Sequence, residues 1–212
     1  RALLSFGLGR WGRVINAAGG GTRMRSEDDV ALFGVAFVCL CVGVPIGSVG
    51  AAAPSAAESE GVSKARELLA SLGCSTPTLT AQQIAELEPL VTAGGPEYAE
   101  RVHKLGASFL ARLLAIKRLA DSIERTVDPL ATYVAPPVRG GVGRTPGVRW
   151  TARDDALLLL GVYKHGCRAY EEVRDDPELH FSCQLGGWAL PTPLDRGFDG
   201  TSVIGYDELD EL

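Results

Sequence analysis

In the stretch from Trp150 to Phe181, WTARDDALLLLGVYKHGCRAYEEVRDDPELHF, a helix start, a period and a helix stop all agree. Thr151 stands where an N-cap belongs, with Asp154 three residues on, the spacing at which two side chains satisfy each other's backbone N–H groups. Asp154 and Asp155 add negative charge to the first turn, where the helix dipole favours it. Ala156, Leu159, Leu160 and Tyr163 recur at i, i+3, i+4 and i+7, one face of a helix. Lys164-His165-Gly166 then supplies a cationic last turn and a glycine stop. The pattern predicts a helix starting near Ala152. A second follows, roughly Arg168 to Asp175, burying Tyr170 and Val173 and ended by Pro177.

Trp150, Tyr163 and Tyr170 are placed like the aromatic core of a Myb-like three-helix unit. Together with the paired acids, LLLGVYKHG, then Tyr, Arg, Asp-Pro, Leu and Phe, they make the segment resemble the SLIDE-type module that follows the ATPase motor in chromodomain-helicase-DNA-binding (CHD) chromatin remodellers, especially the Kismet-like subfamily. The opening RALLSFGLGRWGRVINAAGGG, followed by RMRSEDDVALFGVAF, resembles the SANT-like module of the same subfamily. The two ends also form a weak internal repeat. Leu3, Leu4, Phe6, Gly7, Trp11 and Val14 align at one constant offset with Val162, Tyr163, His165, Gly166, Tyr170 and Val173. The resemblance implies an all-α fold of two Myb/SANT-like units joined by a long spacer helix.

The 212-residue chain has a net charge of -5, which argues against a uniformly basic nucleic-acid binder. DNA contact then needs local basic surface. From Arg101 to Arg153 ten Lys and Arg residues face three acids, whereas acids dominate from Glu171 onward. The chain opens on Arg1, with no methionine, in what reads as the end of a helix, so a fragment of a larger protein is expected. Five cysteines without paired spacing, and no cleavable signal, fit a reducing compartment.

In order, residues 1–50 are expected to form the SANT-like unit, with its first helix truncated. Ala2 to Phe6 ends that helix, Gly7 stops it, and Trp11 to Ala18 is the second helix, with Trp11, Val14 and Ile15 inward. Residues 51–61 are a small-residue linker. Residues 62–127 form the helical spacer, with helices over Val62 to Leu72 and Thr80 to Val91. The spacer's longest segment opens at Pro96 and carries Val102, Leu105, Phe109, Leu113, Ile116, Ala120, Ile123 and Val127 at threes and fours. Residues 128–148 are a Pro/Gly-rich linker, 149–181 the SLIDE-like unit and 182–212 an acidic tail. No third helix of the second unit is evident in that tail.

Val30 to Ala57 contains no charged residue. A run of this kind can span a bilayer, and a span at 30–49 flanked by Arg23 and Arg25 is one reading. Against it, Glu27, Asp28 and Asp29 abut the run, glycines and Pro45 interrupt it, and Ser26 with Asp29 makes a cap for a buried helix. The resemblance places the third SANT helix here, with less charge than family members carry.

His165-x-Cys167 and His180-x2-Cys183 have finger-like separation, yet His165 also suits a helix C-terminus, and the resembled module has no metal to carry over. No metal, catalytic residue or small-molecule substrate is expected. The Asp and Glu pairs lie at helix starts, where capping explains them.

Taken together, the resemblance implies the DNA-binding accessory region of an ATP-dependent nucleosome remodeller, nuclear, non-enzymatic in itself, with ATP and Mg used by a motor outside this chain. Expected partners are duplex DNA or the nucleosome, with histones or the ATPase core as further contacts. Arg10, Arg13, Arg23, Arg25, Lys164, Arg168 and Arg174 are the expected DNA-facing residues, because guanidinium and ammonium groups hold phosphate oxygens. Trp11, Trp150, Tyr163 and Tyr170 are expected to be structural. Two alternatives remain open: a scaffold contacting histones or the motor rather than DNA, and a membrane-anchored helical protein.

Overall fold

In a computed structural model the described residues are 2–18, 26–49, 59–74, 79–91, 95–137 and 150–181. They form ten helices and no strand, an all-α fold. The chain divides into two compact units, Arg1–Ser122 and Ile123–Leu212.

The first unit is assembled around one helix. Helix α1 (Ala2–Phe6) ends where the Gly7 N–H donates to the Leu3 carbonyl at 2.8 Å, and Gly7 adopts φ +81°. Helix α2 (Trp11–Ala18) buries Val14, with Trp11 and Ile15 half-buried. Helix α3 (Glu27–Val42) begins on a reciprocal cap: the Asp29 N–H donates to Ser26 Oγ at 3.1 Å, and the Ser26 N–H to Asp29 Oδ2 at 3.2 Å. Gly34, Val35, Ala36, Phe37, Val38 and Cys39 are all buried, six in succession. Consecutive positions point all round a helix, so α3 must have neighbours on every side. These include α2, helix α4 (Ile46–Val49), helix α5 (Glu60–Ser71) and helix α6 (Ala81–Val91).

The run at 30–49 is therefore not one span. Gly43, at φ +78°, stops α3 by donating to the Cys39 and Leu40 carbonyls, and Pro45 separates α3 from α4. No helix among the described residues is long and apolar enough to cross a membrane. The apolar surface instead packs on protein.

Arg66 of α5 donates to the Val49 and Ser48 carbonyls, satisfying the end of α4. Helix α6 starts on the expected pair, with the Gln83 N–H bonded to Thr80 Oγ1 and the Thr80 N–H to Gln83 Oε1. Helix α7 (Gly95–Glu124) is 30 residues, about 45 Å at ~1.5 Å per residue. The Phe37 and Phe109 rings, with centroids 5.8 Å apart, mark where it lies on α3. There Gly106 lies against the Cys41 backbone so closely that any Cβ would fall into the Cys41 carbonyl. Val102, Phe109, Leu113, Ile116, Ala120 and Ile123 are buried as the period predicts. Val127 is not. It is 88% exposed because α7 stops at Glu124, and its place in the stripe exists only if the helix continues.

In the second unit, helix α8 (Pro129–Thr132) is a single turn followed by a buried Tyr133, a short element within the expected linker. Helix α9 (Ala152–His165) is capped as expected: Thr151 Oγ1 and its N–H both donate to Asp154 Oδ2, at 2.6 and 2.8 Å. Asp154 is wholly buried, so this cap is also a core polar contact. The buried face of α9 is Ala156, Leu157, Leu160 and Gly161, rotated from the expected face, with Leu159 and Tyr163 half-buried. Gly161 sets that rotation. A Cβ there would come within 2.5 Å of Val173 Cγ1, so helix α10 (Tyr170–Arg174) meets α9 over its backbone.

Candidate nucleic-acid interface

The two ends of the chain repeat one corner. The first helix stops at Phe6 in one copy and at His165 in the other; the second begins at Trp11 and at Tyr170. Gly7 and Gly166 both have positive φ, and each N–H returns to the carbonyl four residues back, Leu3 at 2.8 Å and Val162 at 2.9 Å. Val14 and Val173 are the buried residues of the two second helices. The alignment seen in sequence is thus also a match of helix ends, stops and core positions.

The aromatics differ. Trp11 rests against α3, its ring within 3.5 Å of the point where a Gly34 Cβ would stand. Tyr170, its counterpart, is 54% exposed, which corrects the expectation that it is buried core. The wall that holds Trp11 is the third helix of its unit, and the equivalent stretch after Phe181 lies outside the described residues. Trp150 is held as a structural residue, with Nε1 donating to Asp155 Oδ1 at 2.7 Å and its ring 6.1 Å from that of Phe181. Tyr163 donates through its hydroxyl to Glu124 Oε1 at 3.1 Å.

Of the expected DNA-facing residues, Arg10 provides the backbone carbonyl that starts α2, accepting from the Arg13 and Val14 N–H groups. Arg10 is half-buried and Arg13 exposed one turn into the helix. Arg23 and Arg25 lie outside the described residues. Arg168 is exposed in the turn between α9 and α10, at φ +74°. Arg174 closes α10 and forms a two-point pair with its neighbour Asp175, at 2.7 and 2.8 Å.

Lys164 stands in an acidic setting. Its Nζ is 2.7 Å from Asp176 Oδ2 and 2.7 Å from Glu178 Oε2. His165 Nε2 lies 2.6 Å from the same Asp176 oxygen, and the Glu178 N–H donates to Asp176 Oδ1 at 2.9 Å. Burial pushes the Asp176 carboxyl up, but the hydrogen bonds from Lys164, His165 and the Glu178 N–H together hold it well below the usual carboxylate range. Asp176 thereby ties the end of α9 to the segment after α10. Sequence reasoning missed this clasp; the signal was the acid-rich DDPE that follows α10. Lys164, through this clasp, and Arg174, through Asp175, are locally balanced by carboxylates.

Among the described residues no group of three His, Cys, Asp or Glu side chains gathers as a metal site. His165 is occupied with Asp176, and Cys183 of the finger-like set lies outside the described residues.

No solved structure matches the chain. Residues 141–185 match the family model described as the ATP-dependent helicase CHD1-2/hrp3 HTH domain, and the α9–α10 corner is therefore similar to a non-catalytic, DNA-binding accessory segment of CHD-type chromatin remodellers.

Proposed function

We propose that this chain is a DNA-binding accessory region of an ATP-dependent nucleosome remodeller, acting in the nucleus by gripping linker DNA through its backbone, with two SANT/SLIDE-like units on either side of a long spacer. The observation that carries the reading is the family match at 141–185 on a corner that folds as capped helix, glycine turn and second helix. The motor, with its ATP and Mg, lies outside this chain in this reading. Arg10, Arg13, Arg23, Arg25, Lys164, Arg168 and Arg174 are the proposed contact residues. Phosphate contact by such residues releases counterions, so affinity must fall steeply with salt. Fluorescence anisotropy of the chain with a labelled duplex of about 30 base pairs, over a salt series, tests this. Log-linear weakening with little sequence preference is expected. Folded protein that fails to bind at low salt overturns the reading.

A second reading is favoured by the carboxylates around Lys164 and Arg174: a scaffold that meets histones or the motor through its second unit. Histone binding that survives in the absence of DNA affinity selects it.

A further inference from the structure

The long helix α7 carries charge of one sign over most of its length. From Arg101 to Ala120 the sequence has five Lys or Arg residues and no acid. Two of these are committed to the fold. Arg112 Nε donates to the Leu4 carbonyl at 2.9 Å, and Lys117 pairs with Asp121. The other three, Arg101, Lys104 and Arg118, are exposed and have no hydrogen bond or ion pair with any described residue.

Their positions place them on one side of the helix. At 100° per residue, Arg101, Lys104, Ser108, Ala111, Ala115 and Arg118 advance by threes and fours along a single row, and each is exposed. The row runs opposite the stripe of Val102, Phe109, Leu113 and Ile116 that packs into the first unit. Between the cations stand only small side chains, so the surface is level over about 26 Å at ~1.5 Å per residue. Acids adjoin the row at both ends: Glu97 and Glu100, four residues before Arg101 and Lys104 and neither ion-paired with a described residue, and Asp121, three residues after Arg118 and paired with Lys117.

We infer that this row of α7 is a phosphate-contacting surface for duplex DNA, with Arg101, Lys104 and Arg118 as the contact residues. The inference rests on the DNA-binding reading above and adds to it a surface that lies outside both helix–turn–helix corners. Charge complementarity carries it. An isolated surface cation is ordinarily solvated, but three cations on a flat face with no acid between Arg101 and Arg118 attract a polyanion along that length, while the repulsion of Glu97 and Glu100 is confined to one end of the row. A duplex offers a charge about every 1.7 Å of its axis, so both ends of a row this long meet phosphate. Lys164 and Arg174, by contrast, must first release carboxylates.

The test is the salt dependence of duplex binding by the whole chain, comparing wild type with the triple variant R101Q/K104Q/R118Q and the charge-keeping variant R101K/K104R/R118K. With the three cations neutralised, the slope of log affinity against log salt falls by about 2.7 in the triple variant, from ~0.9 per phosphate held. Affinity at low salt falls more than tenfold, while the charge-keeping variant retains the wild-type slope. Far-ultraviolet circular dichroism checks that all three proteins hold the same helicity. Wild-type slope and affinity in a folded triple variant overturn the inference while leaving DNA binding itself intact. Absence of binding by wild type overturns DNA binding and this surface together.

Discussion

Gly9 and Arg168 occupy the same place in two copies of one corner, each two residues beyond the glycine that stops the first helix, and both have left-handed backbone, at φ +88° and +74°. Glycine adopts that conformation freely, whereas arginine adopts it at a cost of about 1–2 kcal/mol. The second copy therefore holds a charged side chain where the backbone favours none. The surrounding contacts of α9 and α10 fix the turn firmly enough to impose it.

Gly9→Ala isolates the backbone contribution, because a Cβ at Gly9 meets nothing within 4 Å. A loss of about 1 kcal/mol is expected from the left-handed conformation alone. Arg168→Gly should be stabilising or neutral, by less than about 1 kcal/mol, since relief of the same strain is offset by greater freedom of the unfolded chain. Thermal unfolding of the two variants measures both, and a loss for Gly9→Ala with no loss for Arg168→Gly is the expected outcome.

The Asp176 clasp predicts a pH dependence. A carboxyl whose folded pKa is depressed adds stability that is fully present above its unfolded pKa, near ~3.9, and is lost as pH falls towards the folded value. Lys164 is shifted the other way, its pKa raised first by the hydrogen bond to Asp176 and then by that to Glu178. Its contribution is full below the unfolded pKa, near ~10.4, and is lost as pH rises through the folded one. Asp176→Asn should thus lower the melting temperature at pH 7, with the difference from wild type shrinking as the pH is taken from about 4 to 2. A difference that stays constant over that acid range would remove the clasp as an ionised interaction.

Gly106→Ala should be among the most damaging single-methyl additions. The added carbon runs into the Cys41 backbone carbonyl, which cannot rotate aside as a side chain could. A loss of about 3 kcal/mol or more is expected, at the upper end of overpacking effects. Ala107→Ser, on the exposed face next to it, is the control and should stay within about 0.5 kcal/mol. Denaturant midpoints for the pair are the measurement.

The cysteines should separate by reactivity. Burial pushes the Cys39 thiol up to about 11 and the Cys41 thiol up to about 12, and Cys74 is buried and raised as well, whereas Cys167 is half-buried on the α9–α10 turn. Since the thiolate is the reactive form, a disulfide reagent at about pH 7.5 should label Cys167 within minutes and Cys39 and Cys41 only on unfolding. Peptide mapping of the labelled protein identifies the sites.

Much of the local architecture was legible because each signal sits within one turn of helix. Ser26 with Asp29, Thr80 with Gln83 and Thr151 with Asp154 are three-residue pairs, and each forms the reciprocal bonds that its spacing implies. The packing face of α9 was harder. In a run of four leucines, Leu157 to Leu160, every direction is apolar, and only the close approach permitted by Gly161 chooses between them. Tyr170 was misread because an aromatic at the start of a helix is buried only if another element covers it. The candidate site shows the same limit. Arg10, Arg13 and Lys164 are visible as charges, but the sequestration of Lys164 by Asp176 joins residues twelve apart through a turn, and no spacing rule announces it.

The bond from Arg112 to the Leu4 carbonyl joins residues 108 apart in the chain. It lies beside the contact of Gly7 with Ile116, so α1 is seated by a segment of α7 that is synthesised long after it. Contacts of such separation are slow to form, because a large loop must close before they reward the chain. While α7 is still within the ribosome, α3 is already outside it, apolar all round and missing one of its walls. At roughly 5–20 residues per second, that interval lasts several seconds. During that interval α3 lacks the wall that Gly106 and Phe109 supply, and α1 finds its seat only when the far half of the longest helix arrives.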